Sequence, residues 1–331
     1  MLMNEPPHSP QQTVNEENKK TLIKMNFILY LQPSSSVEFW RLNSAAGGRA
    51  GAMAPPLSAS RIAELQAEYF AEDVEVPPAA AAEWSEDRLI AFLENGGVEP
   101  AAPQPLGRLA RVACLHGTAG NEKILRMQVA KLISELKDEM VFDVYEGSSM
   151  ILPGNPHGDL MHRYFGQKEI LREYAPAMAD AEGRRIYEPE ATEEALLDLE
   201  SRIASAGGCD VLLGFSQGAN FSTLLAARAA ARVGPLSSLR CLILLAPSRP
   251  GWVSQAKWRD LFCAPLGIPC LIIGGEKDEA AGSGPEEVSK LFHGSLCIKH
   301  AEGHRPLPAD RQDAEQIVQR IRTFLRERCP A

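Results

Sequence analysis

From Leu109 onward, short apolar runs alternate with stretches in which apolar positions recur every three or four residues. "LARVACLHG", "MVFDVYEG", "DVLLGF", "RCLILLAP", "IPCLIIGG" and "SLCIKHAEG" read as strands. Each is a short run with apolar and β-branched residues, bounded by Gly, Pro or charge. Between them, "NEKILRMQVAKLISELK" places Ile124, Gln128, Leu132 and Leu136 at four-residue intervals, and "TEEALLDLESRIASAGG" runs from a Thr192 cap to a Gly207 exit. "QGANFSTLLAARAAAR" is Ala-rich and "DRQDAEQIVQRIRTFLRER" is amphipathic, so all four predict helices. Apolar strands between helices predict an α/β fold with a parallel sheet covered on both faces. The ligand site of such a sheet lies beyond the carboxyl ends of its strands. Residues 148–190 show neither period and read as a long irregular connection.

The pattern upstream is different. Residues 1–57 are rich in Asn, Gln, Ser, Pro and Gly, with "SAAGGRAGAMAPP" as the clearest flexible run, and disorder is expected there. Met53, at the end of this stretch, is a candidate alternative start. Residues 58–98 form a small helical extension: "SASRIAELQAEYF" sets Ile62, Leu65 and Tyr69 on one face, and "WSEDRLIAFLENGG" has Ser85 as N-cap, a Trp84–Leu89 staple and Gly96 as stop. Two short helices bury little alone, so packing against the larger domain is expected. Residues 99–107, with "EPAAPQPL", read as a Pro-Ala linker, and residues 108–328 as the main domain.

Charge and cysteine usage narrow the class. A formal net charge of −9 over 331 residues argues against nucleic acid as the main partner, since a phosphate backbone requires a basic face. The longest N-terminal apolar run, "MNFILYL", is far short of the roughly 18 residues that a membrane helix needs. It also lacks the flanks of a signal peptide. The seven cysteines include no C-x-x-C pair, and Cys114, Cys241, Cys270 and Cys297 sit in strand-like runs as small buried hydrophobes. Reduced thiols and a cytoplasmic location are expected. His300 and His304 have the spacing of a helical metal pair, but Gly303 in a loop-like run reads against a helix, and no metal is expected.

Candidate chemistry concentrates at three strand ends. "GFSQG" puts Ser216 between Gly214 and Gly218 where a strand meets a helix, the setting of a serine whose hydroxyl is forced out of a very tight turn. Asp278 in "GGEKD" follows the strand "CLII", and His304 in "AEGH" follows "LCIKH". Glu276 and Glu279 flank the acid. The chain order Ser, Asp, His, with each member beyond a strand's carboxyl end, is the order of the α/β-hydrolase fold. "LHGTAGN" after the first strand supplies a fourth feature: the amide of Thr118, beside that of Gln217, suits an oxyanion hole. In the irregular connection, Met150, Ile151, Leu152, Met161, Tyr164 and Phe165 are candidates for the wall of an apolar acyl pocket.

"LHG", "GFSQGA", the "GEKD" loop and a late "GH" followed by prolines resemble the FSH family of serine hydrolases, over about residues 108–324. The resemblance implies an α/β-hydrolase fold, no cofactor, and hydrolysis of carboxylic esters or thioesters, some of them on acyl-carrier thiols. It implies that Ser216 is the nucleophile, His304 the base and Asp278 the orienting acid. Thr118 stands where the family often has a bulky residue, and Pro306 and Pro308 depart from the usual proline position. Acyl-protein thioesterases and carboxylesterases also carry a GFSQG turn and form an alternative branch. A binding module that kept the fold without the chemistry is the alternative of another class.

Overall fold

The computed structural model describes residues 57–68, 75–77, 89, 92–93 and 107–330. Six strands make one parallel sheet: β1 (Ala110–Leu115), β2 (Met140–Tyr145), β7 (Val211–Phe215), β8 (Cys241–Leu245), β9 (Cys270–Gly275) and β10 (Leu296–His300). Their spatial order is β10-β9-β8-β7-β1-β2. All five pairings are parallel. The two central strands β7 and β8 are buried at every position, which is why their sequences are unbroken apolar runs rather than alternating ones.

Helices cover both faces. Leu196, Leu199, Phe221, Leu224 and Leu225 pack on one side, from α5 (Pro189–Ser205) and α6 (Gln217–Ala230). Leu125, Leu132, Val318, Ile321 and Leu325 pack on the other, from α2 (Glu122–Gln128), α3 (Ala130–Leu136) and α8 (Arg311–Arg328). Each fully buried leucine here is worth about 2 to 5 kcal/mol on truncation to alanine.

Several local details differ from the sequence reading. The helix expected after β1 breaks once, at Val129 (φ −110°), whose N–H still reaches the Leu125 carbonyl at 3.0 Å, so the break is a kink rather than an end. Asn121 caps its start by accepting from the Ile124 amide at 2.8 Å. α5 begins earlier than the Thr192 cap: the Glu188 side chain caps it, Pro189 occupies the first turn, and Thr192 is buried with its hydroxyl on the Glu188 carbonyl. Cys297 is exposed, because β10 is the sheet's edge strand, while Cys114, Cys241 and Cys270 are buried. The irregular connection contains α4 (Pro156–Phe165) and two antiparallel ribbons. One pairs β3 (Ser149–Met150) with β4 (Arg172–Glu173), the other β5 (Ala177–Ala179) with β6 (Arg185–Tyr187). α7 (Gly284–Ser289) is a short helix after β9.

In the N-terminal section, α1 (Ala59–Glu68) contributes Leu65 to a cluster with Leu89, Phe92 and Leu93, against which Leu57, Ile62 and Val76 pack. Among the described residues the members of this cluster lie between 57 and 93, and their apolar side chains pack on one another. Tyr69, Ile90, Trp84, Ser85, Gly96, Met53, residues 1–56 and the linker lie outside the described residues. Deleting residues 1–105 is accordingly expected to leave the thermal midpoint of the remaining chain within a few degrees of the full chain's, as calorimetry would read it. A fall of ten degrees or more would show that the larger domain depends on this section.

Candidate active site

The parallel strands all end on one edge of the sheet, and the loops beyond that edge bring the candidate residues together. Ser216 follows β7 directly and opens α6 with φ +53° and ψ −114°, a left-handed conformation for a side chain that rarely adopts one. Its amide donates to the Leu245 carbonyl of β8 at 2.9 Å, which fixes the turn to the sheet. The two flanking glycines are required by backbone contact. A Cβ on Gly214 would lie 2.3 Å from the Gly218 carbonyl oxygen, and one on Gly218 would lie 2.2 Å from that of Leu115. The turn is therefore tight enough to push the serine hydroxyl outward.

Asp278 and His304 arrive on neighbouring loops that are tied together by backbone. The Glu276 amide donates to the His300 carbonyl at 2.8 Å and the Lys277 amide to the Glu302 carbonyl at 3.0 Å. Gly275 permits this approach, since its Cβ would lie 2.3 Å from the Glu302 oxygen. The His304 ring then stands between the other two: Nδ1 is 2.8 Å from Asp278 Oδ2, and Nε2 is 2.9 Å from Ser216 Oγ. Asp278 Oδ1 accepts from the amides of Ala280 at 3.0 Å and Ala281 at 2.8 Å. Burial works against the charge on Asp278, but the His304 ring and these amides outweigh it and hold the carboxyl below its ordinary value. An ionised carboxylate only accepts, so Nδ1 of His304 carries the proton and Nε2 receives the serine hydroxyl. Glu276 and Glu279 are exposed. His300 is the last residue of β10, with Nε2 3.3 Å from the Arg305 carbonyl.

Thr118 and Gln217 line the same cavity as Ser216 and His304, a space of about 160 Å³. The Gln217 amide belongs to the first turn of α6, whose N–H groups have no acceptor within the helix. Its buried side chain has a separate task, accepting from the Tyr174 amide at 2.8 Å and donating to the Ala175 carbonyl at 2.8 Å. Of the six residues proposed for an apolar pocket, Met161 lines this cavity. Ile151 and Phe165 pack behind it with Ala119, Ile124 and Leu171. Met150, Leu152 and Tyr164 are exposed, at 59%, 73% and 39%. The walls mix polar side chains, among them Gln128, Asn155, His157, Glu173, Arg185 and Ser248, with apolar ones such as Ile124, Met161 and Phe215. Met150 lies on the short ribbon strand β3, Leu152 just beyond it and Tyr164 on the outer side of α4, so all three face outward.

His116 is the site residue that sequence reasoning missed. It is fully buried, its Nε2 accepts from the Gly147 amide at 3.0 Å, and Nδ1 therefore carries the proton that it donates to the Gly117 carbonyl at 2.7 Å. The Gly120 amide donates to the same carbonyl at 3.0 Å. In a trans peptide the following N–H points opposite to the carbonyl, so these two bonds fix the direction of the Thr118 amide. A histidine at the end of an otherwise apolar strand was the available signal, because both ring nitrogens need partners when buried. Burial lowers its pKa from 6.5 to about 4. The unfolded chain thus binds a proton between these values that the folded chain refuses, and stability falls as pH drops through that window. This one group is expected to cost about 2 to 3 kcal/mol between pH 7 and 4.5. Denaturant titration should show a shallower acid limb for His116→Gln, and an identical limb would contradict the assignment.

A six-stranded parallel sheet with helices on both faces, a serine at the β7–α6 turn and an acid and a histidine on the two following strand ends define a serine hydrolase of the α/β-hydrolase fold. Residues 108–317 match the family described as serine hydrolase (FSH1), and the chain belongs to that family. It is 31% identical to esterase FPY3 of Fusarium mangiferae over 121 residues, 36% of this chain and 49% of the other, so the match spans about half the length of that curated relative. Among solved structures it is similar to the Bacillus cereus carboxylesterase at 18% identity and a TM-score of 0.46, covering 72% of this chain and 100% of that one. The acyl-protein thioesterase 2 of Zea mays has 14% identity and a TM-score of 0.43, covering 68% and 97%.

Proposed function

We propose that the protein hydrolyses carboxylic esters or thioesters, with Ser216, His304 and Asp278 as its catalytic residues. The observation that carries this reading is the continuous hydrogen-bond chain from Ser216 Oγ through His304 to Asp278. In the first half-reaction Ser216 Oγ attacks the carbonyl carbon as its proton passes to His304 Nε2. The Asp278 carboxylate stabilises the imidazolium through Nδ1. The amides of Thr118 and Gln217 hold the oxyanion, and His304 then protonates the departing alcohol or thiol. Water enters, gives a proton to Nε2 and attacks the acyl-enzyme, and collapse of the second oxyanion frees the acid and restores Ser216.

The same reading includes short substrates and a reducing compartment. A cavity of about 160 Å³ lies below the roughly 300 to 1,000 Å³ of most small-molecule pockets, which favours short acyl groups. All seven cysteines are free thiols, which fits the cytoplasm. Among the described residues no helix is long and apolar enough to cross a membrane. The test is a panel of 4-nitrophenyl esters and acyl thioesters of graded chain length. Turnover that peaks at short chains and is lost in Ser216→Ala supports the proposal; a panel on which the wild type and Ser216→Ala do not differ removes it.

A further inference from the structure

We propose that the substrate carries a carboxylate close to the scissile carbonyl, and that Arg185 binds it. This inference rests on the hydrolase reading above and adds to it the chemical class of the substrate.

Arg185 opens β6 and lines the same cavity as Ser216, His304 and the Thr118 amide. The arginines around it are engaged. Arg184 closes on Asp180 at 2.7 Å, Arg172 on Glu146 at 3.3 Å, Arg249 on Glu287 at 2.8 Å and Arg305 on Glu302 at 2.8 Å. The guanidinium of Arg185 has no hydrogen bond or ion pair among the described residues, although its backbone is held by the Arg249 carbonyl. It is half-buried rather than swinging free in solvent. A cation so placed keeps its charge at any working pH and presents a planar fork suited to two carboxylate oxygens.

The neighbouring groups favour an anion over other polar ligands. His157 lies within electrostatic reach of both Arg185 and His304; burial first, and then these two groups, lower its pKa and favour the neutral ring. A neutral imidazole does not compete with Arg185 for an anion. Glu173 also lines the cavity, and burial raises its pKa above the ordinary carboxylate value, which weakens its opposition to a bound anion. Arg185 is the arginine among the residues that line the cavity. The small cavity sets the reach: an anion that touches Arg185 while its carbonyl touches Ser216 belongs to a short molecule.

Two positions for the carboxylate are possible, on the acyl group or on the leaving group, and matched thioesters separate them. The succinyl thioester of N-acetylcysteamine carries it on the acyl side, with the 4-methylpentanoyl thioester as its neutral isostere. S-butyryl thioglycolate carries it on the leaving side, with S-butyryl N-acetylcysteamine as control, and the 4-(trimethylammonio)butanoyl thioester reverses the charge. One anionic substrate is expected to exceed its neutral partner in kcat/KM by about tenfold to a hundredfold, the usual range for a charge-assisted pair. Arg185→Met should remove that preference by lowering kcat/KM for the anionic substrate about tenfold or more relative to its neutral partner, with Ser216 still labelled by a fluorophosphonate, and Arg185→Lys should keep part of it. Equal rates for anionic and neutral substrates, a preference that survives Arg185→Met, or a preference for the cation would each overturn the inference. Neutral turnover that depends on Ser216 would, in those cases, leave the hydrolase reading standing. Loss of all turnover, with Ser216 unlabelled in the wild type, would instead overturn both.

Discussion

Asp278→Asn is expected to lower kcat by about 10⁴-fold with the fold intact. The size follows from the two roles of the carboxylate. Its Oδ2, 2.8 Å from His304 Nδ1, fixes the proton on that nitrogen and so keeps Nε2 free to receive the serine hydroxyl. The same charge stabilises the imidazolium formed when Ser216 attacks. An asparagine at this place presents either an N–H, which favours the wrong tautomer, or a neutral oxygen. The amides of Ala280 and Ala281 would still have an acceptor on one side, so the loop should hold its shape. Glu276→Gln and Glu279→Gln, both at exposed side chains, should change kcat by less than a factor of about three. Steady-state kinetics of the three variants decide the matter, and an active Asp278→Asn beside a dead Glu276→Gln would move the role.

Ser216 is expected to separate activity from stability. Ser216→Ala removes the nucleophile and should lower turnover by about 10⁴-fold or more, whatever the ester. Ser216→Gly should be equally inactive yet more stable than the wild type. The reason is the backbone: at φ +53° and ψ −114° a residue with a Cβ is strained by an amount on the order of 1 to 3 kcal/mol, and glycine relieves most of it. Some of that gain is offset by glycine's larger freedom in the unfolded chain, so a net rise of about 1 kcal/mol is expected. Thermal unfolding of the two variants reads the difference. A glycine variant less stable than Ser216→Ala would mean that the turn is not strained.

The strands were legible because β7 and β8 are buried on both faces and so carry no polar positions. The Ser, Asp and His candidates were legible because each stands within a few residues of a strand's carboxyl end. Residues 148–190 were not, since ribbon strands of two or three residues are too short for an alternation to repeat. That same stretch supplies part of the cavity wall, and of the six residues expected there Met161 lines the cavity while Met150, Leu152 and Tyr164 are exposed. Composition revealed which side chains were present but not which way the connection would turn them. Thr192 misled as a cap because Glu188 and Pro189 form an earlier start, with a glutamate doing what Ser, Thr, Asp or Asn usually does. Cys297 misled because an edge strand looks as apolar in sequence as a central one. His116 offered only its place after an apolar strand and Arg185 no pattern at all; their significance comes from the partners one has and the other lacks.

The central claim is that Ser216 is a nucleophile activated by His304. The most direct measurement is intact-protein mass spectrometry after reaction with a fluorophosphonate, followed by peptide mapping. The expected result is one adduct per chain on the peptide containing "GFSQG", absent in Ser216→Ala and formed far more slowly in His304→Gln. An adduct on another residue, or labelling of Ser216 at an unchanged rate without His304, would contradict it.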